Sequence, residues 1–294
     1  MSERQGVARL GLGTAAFERG YGLGHDDGSE DPHERETLLR EAFEGGISYV
    51  DTSLHYGDAE QRLGRLNRLV RERGIRVCTK FTAAERATAL PASLARLGVD
   101  RVDTILLHSA GGRELPAADV EGWMTAVKST GVACRTGAST YGADAARLAL
   151  ALPWVDTVQV EHSILNPSVV FAIRSARKPG QEIVVRSVLC KGLLTARRRS
   201  VQGISSAVGA SLDRLDALGR AWGFGSLPEL AIRFALDTPD VDVVLVGVAV
   251  RDELGTAFAA AAHPPLTHGQ LAALAEFDHS DDPWVHPERW ELVR

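Results

Sequence analysis

Eight short runs of apolar and β-branched residues recur along this chain, and stretches with helical spacing fill the intervals between them. No other feature constrains the fold as tightly. The runs occupy 9–13, 47–51, 76–80, 103–108, 133–139, 157–161, 182–187 and 241–247, and the clearest helical stretches occupy 32–44, 59–73, 115–129 and 228–236. The runs are apolar rather than strictly alternating, the pattern of parallel strands covered on both faces. Two intervals break the rhythm. Residues 13–32 are rich in Gly and Asp and read as a loop, and 187–241 is long enough to hold an extra helix over 208–222. From Thr267 the chain offers one more helix and an irregular tail that ends near Trp290.

Eight β-α units in 294 residues predict an α/β fold, a (β/α)8 TIM barrel with extra peripheral helices, as one domain over 1–294. An open doubly wound sheet is the alternative, because a pattern of runs does not reveal strand order. Hydrophobic residues make up 45% and charged residues 24%, enough to bury a core without disulfides or metals. A net charge of −5 with dispersed arginines argues against a nucleic-acid partner. Residues 1–7 are polar and no run approaches a membrane-spanning length, so neither signal peptide nor membrane span is expected, and the expected location is cytoplasmic. Cys78, Cys134 and Cys190 form no C-x-x-C pair and are expected to be small buried hydrophobes in a reducing compartment.

Only four of the 33 basic residues are lysine: Lys80, Lys128, Lys178 and Lys191. In a chain that otherwise uses arginine, a lysine at a special position is informative, because only a site needing a compact ammonium requires one. Lys80 closes the third run. Barrel chemistry gathers where strands end and βα-loops begin, and two other runs end in poor packing material: Asp51, with Tyr56 five residues on, and His108. Singly, each has an ordinary reading as a cap, a solvated end or rim packing. Together they form a proton-transfer set. A phenol titrates at about 10, a nearby ammonium lowers that value, and a carboxylate keeps the ammonium charged. An imidazole can donate to a carbonyl oxygen.

With their flanks, these residues resemble the aldo-keto reductase family. Asp51-Thr52 with Tyr56-Gly57, Thr79-Lys80 and Leu106-Leu107-His108 match the family's Asp, Tyr, Lys, His tetrad in order and spacing. Leu12-Gly13-Thr14 resembles its opening strand and Gly137-Ala138-Ser139 its G-x-S after strand five. Gln159 falls where the family carries a nicotinamide-binding glutamine, and Ser187-Val188-Leu189 with Gly192-Leu193-Leu194-Thr195 resembles its pyrophosphate-covering segment. The resemblance implies an NAD(P)H-dependent oxidoreductase that reduces an aldehyde, ketone or sugar-type keto group to an alcohol, or runs the reverse. On that basis Tyr56 is the general acid/base, tuned by Lys80 and Asp51, and His108 orients the carbonyl. Ser139 and Gln159 would hold the carboxamide, and Gly13, Thr14, Ser187, Leu189, Gly192 and Gly247 would complete the dinucleotide site.

The chain also departs from the family. Where the family often stacks the nicotinamide on a tyrosine, this sequence has Arg186, whose planar guanidinium can stack as well. Arg186-Ser187-Val188 followed by Gly192-Leu193-Leu194 resembles a bacterial subgroup associated with sugar pathways. In the last βα-loop, where the family grips an adenosine 2′-phosphate, Glu253 would repel phosphate and could accept from a ribose hydroxyl instead. Arg251 pulls the other way, as would Arg197-Arg198-Arg199, a run that also reads as a solvated loop. NADP(H) is the favoured cofactor and NAD(H) the rival.

The loop over 16–31, with Tyr21, His25, Asp26 and Asp27, and the tail residues Trp284 and Trp290 would border the mouth and suit a small carbonyl or sugar-like partner. A monomer or weak homo-oligomer is expected, with no metal site. Two other functions compete: a nucleotide-binding, redox-sensing barrel with little turnover, and a lyase or isomerase without nicotinamide. No H-E-x-x-H or G-x-G-x-x-G supports the latter.

Overall fold

The computed structural model describes residues 3–18, 20–23 and 32–292. Eight parallel strands, β1 (Leu10–Gly13), β2 (Tyr49–Asp51), β3 (Arg76–Phe81), β4 (Val102–His108), β5 (Ala133–Ser139), β6 (Thr157–Glu161), β7 (Glu182–Arg186) and β8 (Val243–Gly247), close into a barrel in chain order. β8 pairs back with β1, so the sheet has no edge and the open alternative is excluded. Helix α1 (Glu3–Ala8) precedes the barrel. α2 (Pro32–Glu44), the pair α3 (Ala59–Arg65) and α4 (Asn67–Glu72), α5 (Arg86–Leu97), α6 (Ala118–Ser129), α7 (Ala143–Ala151) and α8 (Ser168–Ile173) follow β1 to β6 in turn. α9 (Ser206–Ala221) and α10 (Leu227–Asp237) follow β7, and α11 (Arg251–Ala262) and α12 (His268–Leu274) follow β8.

Strand alternation explains where the polar residues go. Tyr49, Cys78, Leu106, Val184, Val243 and Leu245 form one buried cluster that fills the barrel. Side chains two residues further along a strand share the same face. Asp51, Lys80, His108, Arg186 and Gly247 therefore stand one layer above that cluster, at the C-terminal mouth. Gly137 belongs to the same inner face: a Cβ there would lie 1.8 Å from the Thr157 carbonyl oxygen and 3.0 Å from Leu106, so only glycine fits. Ser139, two residues on, pairs in register with Gln159 and brings both to the mouth.

A large apolar layer fills the space between strands and helices, and a second cluster joins Leu23, Leu193, Leu194, α9, α10 and the C-terminal tail. The serine N-caps of α9 and α10, Ser205 and Ser226, accept from Val208 and Glu229, and Thr267 and Gln270 form a reciprocal capping box at α12.

Several expectations change. The stretch 59–73 is two helices, not one. Gly64 sits so close to α5 that a Cβ would lie 2.3 Å from the Arg96 carbonyl oxygen, and the chain turns at Leu66 immediately after. Part of the polar N-terminal segment is helical, and Gly6 lets α1 approach α11 near Ala261. Cys78 and Cys190 are buried as expected, but Cys134 is exposed at the start of β5, beside a shallow groove with Leu97 and Val102. Trp284 and Trp290 do not stand open to a ligand; they are 6% and 5% exposed and pack in the second cluster. His25, Asp26 and Asp27 lie outside the described residues.

Candidate active site

Lys80 and Asp51 lie almost wholly out of solvent, and the ammonium donates to Asp51 Oδ2 at 2.5 Å and to the Thr52 carbonyl at 3.2 Å. Burial pushes the Lys80 ammonium toward losing its proton, but Asp51, with Tyr56 behind it, outweighs burial and the net shift is upward. Lys80 Nζ lies 5.0 Å from the centre of the Tyr56 ring.

Tyr56 reaches the site from a braced loop. The Ser53 hydroxyl donates to the Lys80 carbonyl at 2.9 Å, Arg96 donates to the Leu54 carbonyl at 3.0 Å, and His55 bonds Glu85 at 2.7 Å. Gly57, at φ +56, makes the turn that follows. Asp58 holds the N-cap position of α3, yet its carboxylate bonds Arg62 rather than the backbone. The expected lowering of the Tyr56 pKa is not the net result. Burial raises it, Lys80 only partly offsets the rise, and the phenol stays protonated at neutral pH. His108 is pushed down to about 4 by burial, then by Lys80 and Arg186, so its ring is neutral at physiological pH.

Gln159 Nε2 donates to the second Asp51 oxygen at 2.8 Å, and its Oε1 accepts from Ser139 Oγ at 3.0 Å. An ionised carboxylate only accepts, which fixes the orientation of the amide. One N–H and one lone pair of Gln159 remain, the complement a carboxamide needs. The hydroxyl of the next residue, Thr140, is buried and has no protein partner.

Arg186 stacks on Tyr141, its Cζ 3.8 Å from the ring centre, and donates to the Thr140 carbonyl at 2.8 Å. The Tyr21 phenol is pushed up by burial and by the neighbouring Tyr56 and Tyr141. Three of the chain's four tyrosines thus gather around one guanidinium. Tyr141 lies past the end of β5, on a loop, where residue spacing carries no signal. The scarcity of tyrosine was the available signal.

A separate small groove between the segments after β7 and β8 is lined by Leu189, Thr195, Arg197, Gly247, Glu253 and Thr256. Gly13 and Gly247 face each other in register and leave bare backbone where β1 and β8 end. The strap after β7 holds three non-glycine residues at positive φ, Ser187, Cys190 and Lys191, followed by Gly192 at φ +102. Such conformations persist where the surroundings enforce them, often at ligand clamps. The Thr14 hydroxyl is committed to the Asp51 carbonyl at 3.0 Å.

The arginine run is not simply solvated. Arg197 pairs with Glu253 at 2.6 Å across the groove, and Arg198 is buried against Asp213. The other Glu253 oxygen accepts from the Ala249 N–H at 2.7 Å. Arg251 stands apart, exposed and paired with Glu41 in a neighbouring depression between α2 and α11. Among the described residues no cluster of His, Cys, Asp or Glu could hold a metal, and no helix is long and apolar enough to cross a membrane.

The site is thus a buried Lys–Asp pair under a phenol at the C-terminal mouth of a closed parallel barrel. The Aldo/keto reductase family profile matches residues 9–279, and the chain belongs to that family. An aldo-keto reductase (str7) of Strobilurus tenacellus is 29% identical over 209 residues, 66% of this chain and 62% of its own length. The Schizosaccharomyces pombe aldo-keto reductase yakc, whose name carries NADP(+), is 26% identical over 216 residues, with the same coverage of 66% and 62%. The chain thus spans less than two thirds of the length of these curated relatives. In fold it is similar to the holo form of the aldo-keto reductase AKR11C1 from Bacillus halodurans, with a TM-score of 0.74, 22% identity and 92% of each chain covered.

Proposed function

We propose that this chain reduces a small carbonyl compound to an alcohol, with Tyr56 as the general acid. The observation that carries this reading is the buried Lys80–Asp51 pair at 2.5 Å beneath the Tyr56 ring. A bound nicotinamide dinucleotide would supply the hydride. Tyr56 holds the proton destined for the carbonyl oxygen, and Lys80, kept charged by Asp51, stabilises the phenolate left behind. Neutral His108 donates a hydrogen bond to the same oxygen and sets its angle.

Ser139 and Gln159 would hold the carboxamide, Arg186 would cover one face of the ring, and Ser187, Leu189 and Gly192 would lie along the pyrophosphate. Backbone at Gly13 and Thr14 would close the inner end, with Gly247, Glu253 and Arg251 toward the adenosine. NADP(H) is the favoured cofactor. The Arg197 pair matches the Glu253 charge and weakens its repulsion of a 2′-phosphate, and a relative's name carries NADP(+). NAD(H) remains the second reading through Glu253 itself, which Arg197 does not remove. The phenols of Tyr21, Tyr56 and Tyr141 suit a hydroxylated, sugar-type substrate. On this reading residues 1–294 act as one barrel unit, monomeric or weakly homo-oligomeric, in the cytoplasm.

The test is a fluorescence titration with NADPH and with NADH, followed by cofactor oxidation on adding a simple aldehyde. Tight binding of one nucleotide and aldehyde-dependent oxidation are expected. Binding without turnover across a range of carbonyls would favour a regulatory barrel, and no binding would overturn the proposal.

A further inference from the structure

Arg186 ends β7 on the inner face, across the register from Glu161. One face of its guanidinium is covered by Tyr141. Its edges are tied to the Thr140 carbonyl at 2.8 Å and to the Ser187 hydroxyl at 3.3 Å. The side chain is nonetheless partly accessible, and Tyr141 is the one aromatic ring recorded stacked on it among the described residues. A flat cation held by one face and two edges is a preformed stacking platform.

The charge of this platform lacks a close match. Among the described residues no carboxylate oxygen lies within 4.0 Å of the Arg186 nitrogens. Asp51 is committed to Lys80, and His108 is neutral. Glu161, across the register, acts on the guanidinium by its charge but makes no ion pair with it, and one of its oxygens accepts from the Gly142 N–H. The strand-end layer therefore presents a fixed positive charge beside the Ser139–Gln159 pair.

We propose that Arg186 makes this site discriminate between the two oxidation states of its nicotinamide, favouring the neutral dihydropyridine ring over the pyridinium cation. The inference rests on the reading above, in which Ser139 and Gln159 hold the carboxamide and so set the ring at the level of Arg186. A guanidinium stacked on a neutral ring is attractive. Stacked on a pyridinium it adds like-charge repulsion, which is not fully screened at van der Waals distance in a partly buried site. The consequence is a bias in direction: the reduced cofactor is retained, the oxidised product leaves readily, and the enzyme serves reduction.

Isothermal titration calorimetry with NADPH and NADP+, and with NADH and NAD+, tests this on the wild type, Arg186→Met and Arg186→Lys. For whichever pair binds, the wild type is expected to prefer the reduced form by about tenfold or more, an order-of-magnitude expectation from like-charge repulsion. Arg186→Met should bring the ratio close to one, and Arg186→Lys, which keeps the charge, should retain part of it. Equal wild-type affinities for the two forms, or an unchanged ratio in Arg186→Met, would overturn the inference while leaving the proposed function intact. Failure of the wild type to bind any of the four nucleotides would instead overturn the proposed function, and this inference with it.

Discussion

Gln159 donates to the same carboxylate, Asp51, that holds the Lys80 ammonium. The groups proposed to tune the acid and to hold the cofactor thus share one anion, 108 residues away in the chain from Gln159. Asp51→Ala is expected to leave Lys80 buried without a counter-charge, and to cost about 3–5 kcal/mol of stability. It should also weaken cofactor binding, because Gln159 loses its anchor. Adding Lys80→Met should restore much of the stability and none of the activity. Urea denaturation of the single and double variants checks this; a double variant no more stable than Asp51→Ala would contradict the buried-pair account.

The Arg197–Glu253 bridge sits across the groove at 2.6 Å. Glu253→Ala removes a negative charge and frees Arg197, so the preference for NADPH over NADH should rise by several-fold. Arg197→Ala should shift it the other way, because Glu253 then stands unmatched. Dissociation constants for both nucleotides decide the matter, and a ratio unmoved in both variants would detach this pair from cofactor choice.

His162 is buried, stacked on Phe234 and bonded to Thr238 at 2.8 Å, and burial pushes it down to about 3. Its folded value lies below that of the unfolded chain, so the unfolded state takes up the proton first. Stability is then fully present above about pH 6.5 and drains away as the pH falls toward 3, by on the order of a few kcal/mol. His162→Gln should flatten that part of the profile. Thermal melts from pH 7 to 4 provide the check, and parallel curves for variant and wild type would contradict it.

Much of this was legible in the sequence because it depends on strands. β-Branched runs locate strand ends, period-two alternation puts Asp51, Lys80 and His108 on one face, and β5 and β6 fall at the residues the pattern predicts. What stayed hidden depends on loops that meet only after the barrel closes. Tyr141 under Arg186, Arg197 on Glu253 and Gln159 on Asp51 have no local signature, since each pair is assembled from different βα-units. The tail tryptophans misled for the same reason: exposed aromatics and packing aromatics look alike until the second cluster exists to receive them. The net rise of the Tyr56 pKa was equally invisible, because burial is not written in residue spacing.

The central claim is that Tyr56 supplies the proton. Tyr56→Phe removes the hydroxyl and keeps the ring over Lys80, so its most direct test pairs the NADPH dissociation constant with the single-turnover rate of aldehyde reduction. The affinity should stay within about twofold of wild type, and the rate should fall by roughly 10²–10⁴-fold. A Tyr56→Phe protein that reduces the aldehyde at the wild-type rate would contradict the account.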